Sequence, residues 1–179
     1  IVTGASWGIG AAVAEAFAGE GASVVVNTLP DDRMDAYASE VVARITAAGG
    51  AAIKVPADIS VPADVGAMVA AAGHEFGDVD ILVANAAHSQ RAQWTEITID
   101  QWDRTMAVNL RGTFLCAQAV HPGMLRRRRG SIITVTSVTA KLGMAGLLGY
   151  VTSKAGIIGL TRALAREVGK DSIRVNAVM

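Results

Sequence analysis

The residues best suited to chemistry are a tyrosine and a lysine in the last third of the chain. Tyr150 and Lys154 stand four positions apart in the run GYVTSKAG at 149–156, which has a helical pattern. Residues i and i+4 share one face of a helix, so the phenol and the ammonium can meet at one point. A neighbouring positive charge stabilises the phenolate, which would let the tyrosine exchange a proton with a substrate oxygen near neutral pH. A solvated helix face explains the same spacing by itself.

Ser137 favours the acid–base interpretation. It ends the apolar run SIITVTS at 131–137, and the carboxyl end of a strand is where ligands of open parallel sheets bind. A hydroxyl at that edge can hydrogen-bond a reacting oxygen. Together the three side chains predict proton transfer to or from the oxygen of a small molecule.

A glycine-rich loop near the start of the chain indicates a second ligand. The run TGASWGIG at 3–10 places Gly4, Gly8 and Gly10 between an apolar run and a helical pattern that begins near Ile9. Glycines there let the backbone approach a pyrophosphate, and the helix N-terminus offers unpaired N–H groups. This indicates a dinucleotide, although such loops also serve only to pack a strand on a helix. No Gly-Lys-Ser/Thr follows, which excludes the phosphate loop of nucleotide hydrolases.

The elements that must position these residues alternate regularly along the chain. Apolar runs predict strands at 1–3, 23–27, 51–57, 80–85, 131–137 and 173–178, and helical patterns lie between them at about 9–19, 32–48, 62–76, 100–127 and 150–169. Strand–helix–strand alternation predicts an α/β fold with a doubly wound parallel sheet of about six strands between two helical layers. With no linker or repeat, we expect one domain over 1–179. Both ends lie in apolar runs, so we expect a chain truncated at both ends.

Composition narrows the class of partner. The 16 basic residues balance the 16 acidic ones, so no broad attraction to nucleic acid or a membrane surface is expected. The run RRRRG at 126–130 fits the end of a solvated helix better than a nucleic-acid patch. No apolar run approaches the roughly 18 residues of a membrane span. The single cysteine, Cys116, and the three dispersed histidines give no disulfide and no metal-ligand spacing. A cytoplasmic protein is therefore expected.

The combination of motifs resembles the short-chain dehydrogenases/reductases over essentially the whole chain. The resemblance rests on TGASWGIG, ADIS at 57–60, VANAA at 83–87, VNLRGTF at 108–114, SIITVTS and YVTSK. It implies a Rossmann fold and hydride transfer between NADP(H) or NAD(H) and a carbonyl or secondary alcohol, similar to a 3-oxoacyl reductase. It also implies a homodimer or homotetramer, paired through the helices around 100–127 and 150–169.

The resemblance also implies a role for each matching residue. Tyr150 would be the general acid in carbonyl reduction and the base in alcohol oxidation, with Lys154 lowering the cost of its ionisation and holding the nicotinamide ribose. Ser137 would orient the carbonyl, and Asn109 would anchor a water chain that resupplies protons; bonding to its own helix backbone is the alternative. Cofactor contacts are implied for Gly4, Ser6, Trp7, Gly8, Ile9, Gly10, Asn27, Thr28, Asp58, Ile59, Asn85, Ala86, Tyr150 and Lys154.

Two features leave alternatives open. The second strand ends in Asn27 and Thr28, without the acid that NAD enzymes of this fold place there, so NADP(H) is favoured and NAD(H) remains possible. Trp7 stands where many NADP-dependent relatives carry a base, and only Arg33 lies nearby in sequence.

The family's Asn-Asn-Ala-Gly motif is replaced here by Ala-Asn-Ala-Ala at 84–87. A non-catalytic nucleotide-binding sensor or scaffold, or an inactive truncated chain, is the competing interpretation.

Overall fold

The computed structural model describes residues 1–179 and has a parallel sheet at its centre. Its strands are β1 (Ser23–Thr28), β2 (Ala51–Pro56), β3 (Ile81–Ala84), β4 (Gly130–Val135) and β5 (Ile173–Val178). Strand β1 pairs with β2, and β4 lies between β3 and β5. The six strands predicted from sequence become five, because the segment at 1–3 contributes only single bridges from Val2 to Val26 and to Val83. Those bridges join the two halves, giving the order β2, β1, Val2, β3, β4, β5.

Helices connect the strands as the sequence predicts. They are α1 (Gly8–Gly19), α2 (Asp32–Ala47), α3 (Pro62–Phe76), α4 (Ile99–Met106), α5 (Gly112–Arg127), α6 (Thr139–Leu142) and α7 (Leu148–Val168), with 3₁₀ turns at Trp94–Glu96 and Gly169–Asp171. The predicted helix at 100–127 is interrupted by a π-helical turn, Ala107–Arg111, between α4 and α5. None of the helices is both long and apolar enough to cross a membrane.

Helix starts follow from local capping chemistry. The carboxylate of Asp31 accepts hydrogen bonds from the N–H groups of Arg33 and Met34, which caps α2. Thr98 and Gln101 form a reciprocal capping box at the start of α4. The acid of the β1–α2 loop, Asp31, is therefore engaged at a helix N-terminus.

Apolar side chains cover both faces of the sheet. On one face Val25, Leu82 and Ile132 form a core with residues of α3 and α5, including Met68, Cys116 and Met124. On the other face Val24, Val26 and Val83 pack with residues of α1 and α2, including Ala14, Val41 and Ile45. Neighbouring residues of β1 thus face opposite layers, as a strand covered on both sides requires. The predicted three-layer, doubly wound Rossmann fold is confirmed.

The arginine run at the end of α5 pairs with acids that precede β3. Arg126 and Arg127 each contact Asp78 at 2.8 Å, and Arg129 contacts Asp80 at 2.8 Å. These arginines therefore join the end of α5 to the amino-terminal edge of the sheet, opposite the edge that carries the glycine-rich loop.

Candidate active site

Two asparagines hold the glycine-rich loop from opposite sides. The Oδ1 of Asn27, at the end of β1, accepts from the N–H of Gly4 at 3.1 Å. The Nδ2 of Asn85, just beyond β3, donates to the carbonyls of Thr3 and Gly4 at 3.0 and 3.1 Å. The Thr3 hydroxyl in turn accepts from the N–H groups of Asn85 and Ala86, both at 3.0 Å. The backbone leaving the sheet is thus fixed before it reaches α1.

The close approach of these segments explains the glycines. Gly4 and Gly8 have φ values of +61° and +59°, in the left-handed region that favours glycine. A Cβ on Gly10 would collide with the carbonyl oxygen of Gly4 and lie 2.6 Å from Nδ2 of Asn85. No side chain fits at position 10, so the start of α1 packs directly on the loop.

The start of α1 fits the phosphate groups of a dinucleotide. Trp7, the residue before the helix, makes no side-chain cap, and the N–H groups of Gly8, Ile9 and Gly10 donate to no protein group. Space beside Gly8 is open, since a Cβ there would meet no atom within 4 Å. The helix carries no acid in its first turn. Unsatisfied N–H groups and the positive end of the helix dipole therefore face an open surface suited to an anion.

The side chains at the end of β1, Asn27 and Thr28, are expected to contact the cofactor ribose, but in the structure they are buried and bonded within the protein. Asn27 is 2% exposed, and its Nδ2 lies 3.1 to 3.3 Å from the carbonyls of Thr28, Val55 and Ala57. Thr28 is fully buried, and its hydroxyl accepts from the Ser6 hydroxyl at 2.7 Å. The Asn27 amide is therefore used inside the fold, where it supports the loop. No acid occupies this position.

Asp58 and Ile59, expected beside the adenine, follow β2. Ile59 is buried and contacts the backbone of α5 where Gly112 leaves room. The Asp58 carboxylate accepts from the N–H and hydroxyl of Ser60 and from the guanidinium of Arg104. Burial raises the pKa of the Asp58 carboxyl, but the hydrogen bonds from Ser60 and the charge of Arg104 outweigh it, so the pKa is lowered.

Asn109 lies in the π-helical turn and joins three parts of the site. Its Oδ1 accepts from the N–H of His88 at 2.6 Å, and its Nδ2 donates to the carbonyl of His88 and to the Ser153 hydroxyl, both at 2.9 Å. The Ser153 hydroxyl donates to the carbonyl of Tyr150 at 2.7 Å. The amide thus ties the loop after β3 to α7 at the tyrosine; it does not bond to its own helix.

Tyr150 and Lys154 meet on α7. The Lys154 Nζ lies 5.7 Å from the centroid of the Tyr150 ring and donates to the carbonyl of Val135 at 2.6 Å. Lys154 is 3% exposed, and burial lowers the pKa of its ammonium to about 8. Tyr150 is half-buried as a residue, and its hydroxyl makes no hydrogen bond within the protein. A cation and an unengaged acid therefore lie side by side where β4 ends.

Ser137 lies beyond β4 and leads into α6. Its hydroxyl oxygen accepts from the N–H of Thr139 at 3.2 Å and from the Thr139 hydroxyl at 2.8 Å. Because both bonds are accepted, the proton of Ser137 remains available to a ligand. No hydrogen bond joins Ser137 to Tyr150 or Lys154, so the structure brings the three to one sheet edge without connecting them directly.

A groove of about 940 Å³ is lined in part by Leu148 and Val151 of α7, which flank Tyr150 in the chain; Ser137, Tyr150 and Lys154 themselves do not line it. One wall is the segment after β3, Arg91 to Trp94, and the other is the segment between Ser137 and Tyr150, including Met144. The N–H of Ala92 donates to the carbonyl of Gly146 at 3.1 Å, which joins the walls. Arg91 is the only charged residue in a lining dominated by apolar side chains.

Some residues of the site were missed by sequence reasoning. Thr3 supports the segment after β3, Ser153 links Asn109 to α7, and Arg104 contacts Asp58. The Thr136 hydroxyl donates to the carbonyl of Lys154 at 2.8 Å. For Ser153 a signal exists, since it stands three residues after Tyr150 and so lies near it on a helix. The other contacts join residues far apart in sequence and leave no local pattern.

The comparisons with known proteins agree with this geometry. Residues 1–179 match the family described as short chain dehydrogenase. The chain is 40% identical to the 3-oxoacyl-(acyl-carrier-protein) reductase FabG of Staphylococcus epidermidis, covering 99% of this chain and 72% of that protein. It is 40% identical to the probable galactose dehydrogenase GalD of Rhizobium meliloti, of which it covers 69%. A metagenomic short-chain oxidoreductase crystallised with NADP has a TM-score of 0.92 and 33% identity, over 98% of this chain and 77% of that one.

Replacing Asn27 should damage the fold and leave cofactor choice unchanged. In Asn27→Asp a carboxylate would face three carbonyl oxygens that now accept from Nδ2, leaving buried groups unsatisfied at a cost of about 2 kcal/mol or more. We expect the melting temperature to fall by about 4 °C or more. The control is Asn176→Asp, at an exposed position on β5, which should melt like the parent. A stable Asn27→Asp protein that has gained preference for NAD would contradict this.

Proposed function

This chain belongs to the short-chain dehydrogenase family and is an NAD(P)-dependent oxidoreductase, and from that premise we propose that Tyr150, Lys154, Ser137 and Asn109 carry its proton chemistry. The observation that supports this most is the Lys154 ammonium 5.7 Å from the Tyr150 ring, at the same sheet edge as Ser137. The reaction is reduction of a carbonyl or, in reverse, oxidation of a secondary alcohol.

The glycine-rich loop and its neighbours would hold the dinucleotide. The free N–H groups of Gly8 and Ile9 suit the pyrophosphate, and the segment of Asp58 and Ile59 suits the adenine. When bound, the nicotinamide exchanges a hydride with the carbon of the substrate. The protein's own contribution is placement of the two reactants and control of the proton.

Tyr150 would deliver the proton to the carbonyl oxygen. Its hydroxyl is free of protein partners, and the buried Lys154 ammonium stabilises the phenolate left behind. Ser137, whose proton is also free, would donate to the same oxygen and orient it. Asn109, through Ser153, would fix the turn of α7 that carries the tyrosine.

NADP(H) is the preferred cofactor in this proposal, with NAD(H) as the alternative. Thr28 leaves no acid at the end of β1 to repel a 2′-phosphate, and Asp31 is engaged as the cap of α2. The oxidoreductase of similar structure was crystallised with NADP. Both observations support a phosphorylated ribose.

The substrate would be a small ketone or secondary alcohol bound beside Tyr150. The apolar groove between Trp94 and Met144 supports this class, and the named activity of the FabG relative supports a 3-oxoacyl thioester as the first compound to test. Residues 1–179 would form one cofactor-binding and catalytic domain.

The proposed compartment is the cytoplasm. The one cysteine, Cys116, is a free, buried thiol whose pKa burial raises to about 12, and a free thiol suits a reducing compartment.

Removing the Tyr150 hydroxyl should abolish turnover without loss of cofactor binding. Tyr150→Phe removes the proton donor while keeping the ring, so NADPH-dependent reduction of a 3-oxoacyl thioester should fall by about 100-fold or more. The control is Tyr37→Phe, the only other tyrosine, which lies on α2 and contacts Arg33 and should retain parental kcat. Equal kcat in both variants would overturn the role, and silence of the parent across a ketone panel would favour a non-catalytic sensor.

Activity should fall as the pH rises through about 8. Because burial lowers the pKa of Lys154 to about 8, its charge is lost above that pH, and kcat/KM for NADPH should be roughly tenfold lower at pH 9 than on the plateau. The same burial costs stability below about pH 8, where the ammonium is charged. Between about 8 and the ordinary value of 10.5 the unfolded chain binds more protons, so stability rises with pH as that cost is removed. An activity loss that tracks thermal unfolding instead would contradict this assignment.

Self-association is proposed through the helical face of α4, α5 and α7. A groove of about 880 Å³ lies there. Half of its lining residues are apolar, including Leu110, Phe114 and Leu160, and the others include Arg104 and Arg111; Phe114 is 45% exposed. Light scattering should give the mass of a homodimer or homotetramer, and Phe114→Arg should shift it to a monomer. A parent protein that is monomeric at micromolar concentration would refute the assembly.

A further inference from the structure

The segment after β2 that includes Asp58 and Ser60 is bound to the helix that carries Asn109. The Nη1 of Arg104, on α4, donates to Oδ2 of Asp58 at 2.8 Å and to Oγ of Ser60 at 2.9 Å. The Nη2 of Arg111, at the end of the π-helical turn, donates to the carbonyl of Ser60 at 3.2 Å. Two cations from one continuous helix thus hold a single turn.

The turn itself has little freedom once Arg104 is in place. Oδ1 of Asp58 accepts from the N–H and hydroxyl of Ser60 at 2.9 and 2.7 Å, while Arg104 occupies Oδ2. The N–H of Asp58 donates to the carboxylate of Asp64 at 2.9 Å. Both oxygens of the carboxylate are therefore engaged, which sets the position of Asp58 and of Ile59 beside it.

The ion pair of Arg104 with Asp58 fixes the position of the turn more than it stabilises the fold. The side chain of Arg104 is 41% exposed and that of Asp58 is 18% exposed, and exposed ion pairs of this kind contribute only about 0.2–1 kcal/mol to folding. A second pair of equal length, Arg44 with Glu15, joins α2 to α1 at 2.8 Å with side chains 53% and 40% exposed. The two pairs are alike in chemistry, but only the first includes a residue, Asp58, that is expected beside the adenine.

We propose that Arg104 is a positioning residue for cofactor binding, which acts by fixing the turn of Asp58 and Ser60 against the adenine half of the dinucleotide. The inference rests on the proposed cofactor site. Without the guanidinium, the Asp58 carboxylate loses its charge partner and Ser60 loses a donor. The turn then samples several conformations, and because only a fraction of them can bind the adenine half, the affinity falls. Arg104 also lines the groove proposed for self-association, so a partner subunit would contact the same guanidinium.

The test compares ligands that carry different halves of the cofactor. Adenosine 2′,5′-bisphosphate carries the adenine half, nicotinamide mononucleotide the other half, and NADP⁺ both. Their affinities are measured by calorimetry, or by ligand-observed NMR where weak, for the parent, Arg104→Met, Arg104→Lys and Arg44→Met. Melting temperatures are measured without ligand.

We expect Arg104→Met to bind NADP⁺ and the adenosine bisphosphate about tenfold more weakly, with unchanged affinity for nicotinamide mononucleotide. Its melting temperature should fall no more than that of Arg44→Met, and Arg104→Lys should recover much of the lost affinity. Equal affinities in Arg104→Met and Arg44→Met would overturn the inference, as would equal weakening of all three ligands. A parent that binds none of the ligands would instead overturn the cofactor proposal, and the inference with it.

Discussion

The clamp on the glycine-rich loop by Asn27 and Asn85 is the interaction on which the rest of the site depends. Val2 bridges the two halves of the sheet, and the chain then leaves the sheet at Gly4, where a Cβ would lie 2.8 Å from the Cα of Ala86. Backbone groups in such a place need partners, since an unsatisfied buried N–H or C=O is costly. The two amides supply those partners from the neighbouring strands β1 and β3.

A second amide clamp works in the same way on the substrate side. Asn109 satisfies both backbone groups of His88 and, through Ser153, the carbonyl of Tyr150. The first residues after β3 are therefore held at two points, at Asn85 through its own amide and at His88 by Asn109. Rigid support of this kind lets a cofactor and a substrate meet at a defined distance, which is most of what a protein contributes when the hydride belongs to the cofactor.

Much of this arrangement could be predicted from the sequence because the signals are local. Helix and strand periods, the glycine spacing and the four-residue step from Tyr150 to Lys154 each lie within a single element or turn. The use made of Asn27 could not be predicted, since its partners Val55 and Ala57 lie 28 and 30 residues away. The link from Arg104 to Asp58 spans 46 residues. The predicted first strand is reduced to bridges from Val2, whose partners Val26 and Val83 lie in two other strands far along the chain.

The π-helical turn of Ala107–Arg111 makes the site sensitive to chain length in a way that no side chain reveals. It inserts one residue per turn more than the surrounding helix needs, so the face of α5 is rotated relative to that of α4. Deleting one residue of the turn before Asn109 would restore an ordinary helix and rotate Asn109 by about 100° about the axis relative to α4. Its amide would then miss both His88 and Ser153. Insertions and deletions within this one turn should therefore be tolerated less well than most substitutions around it.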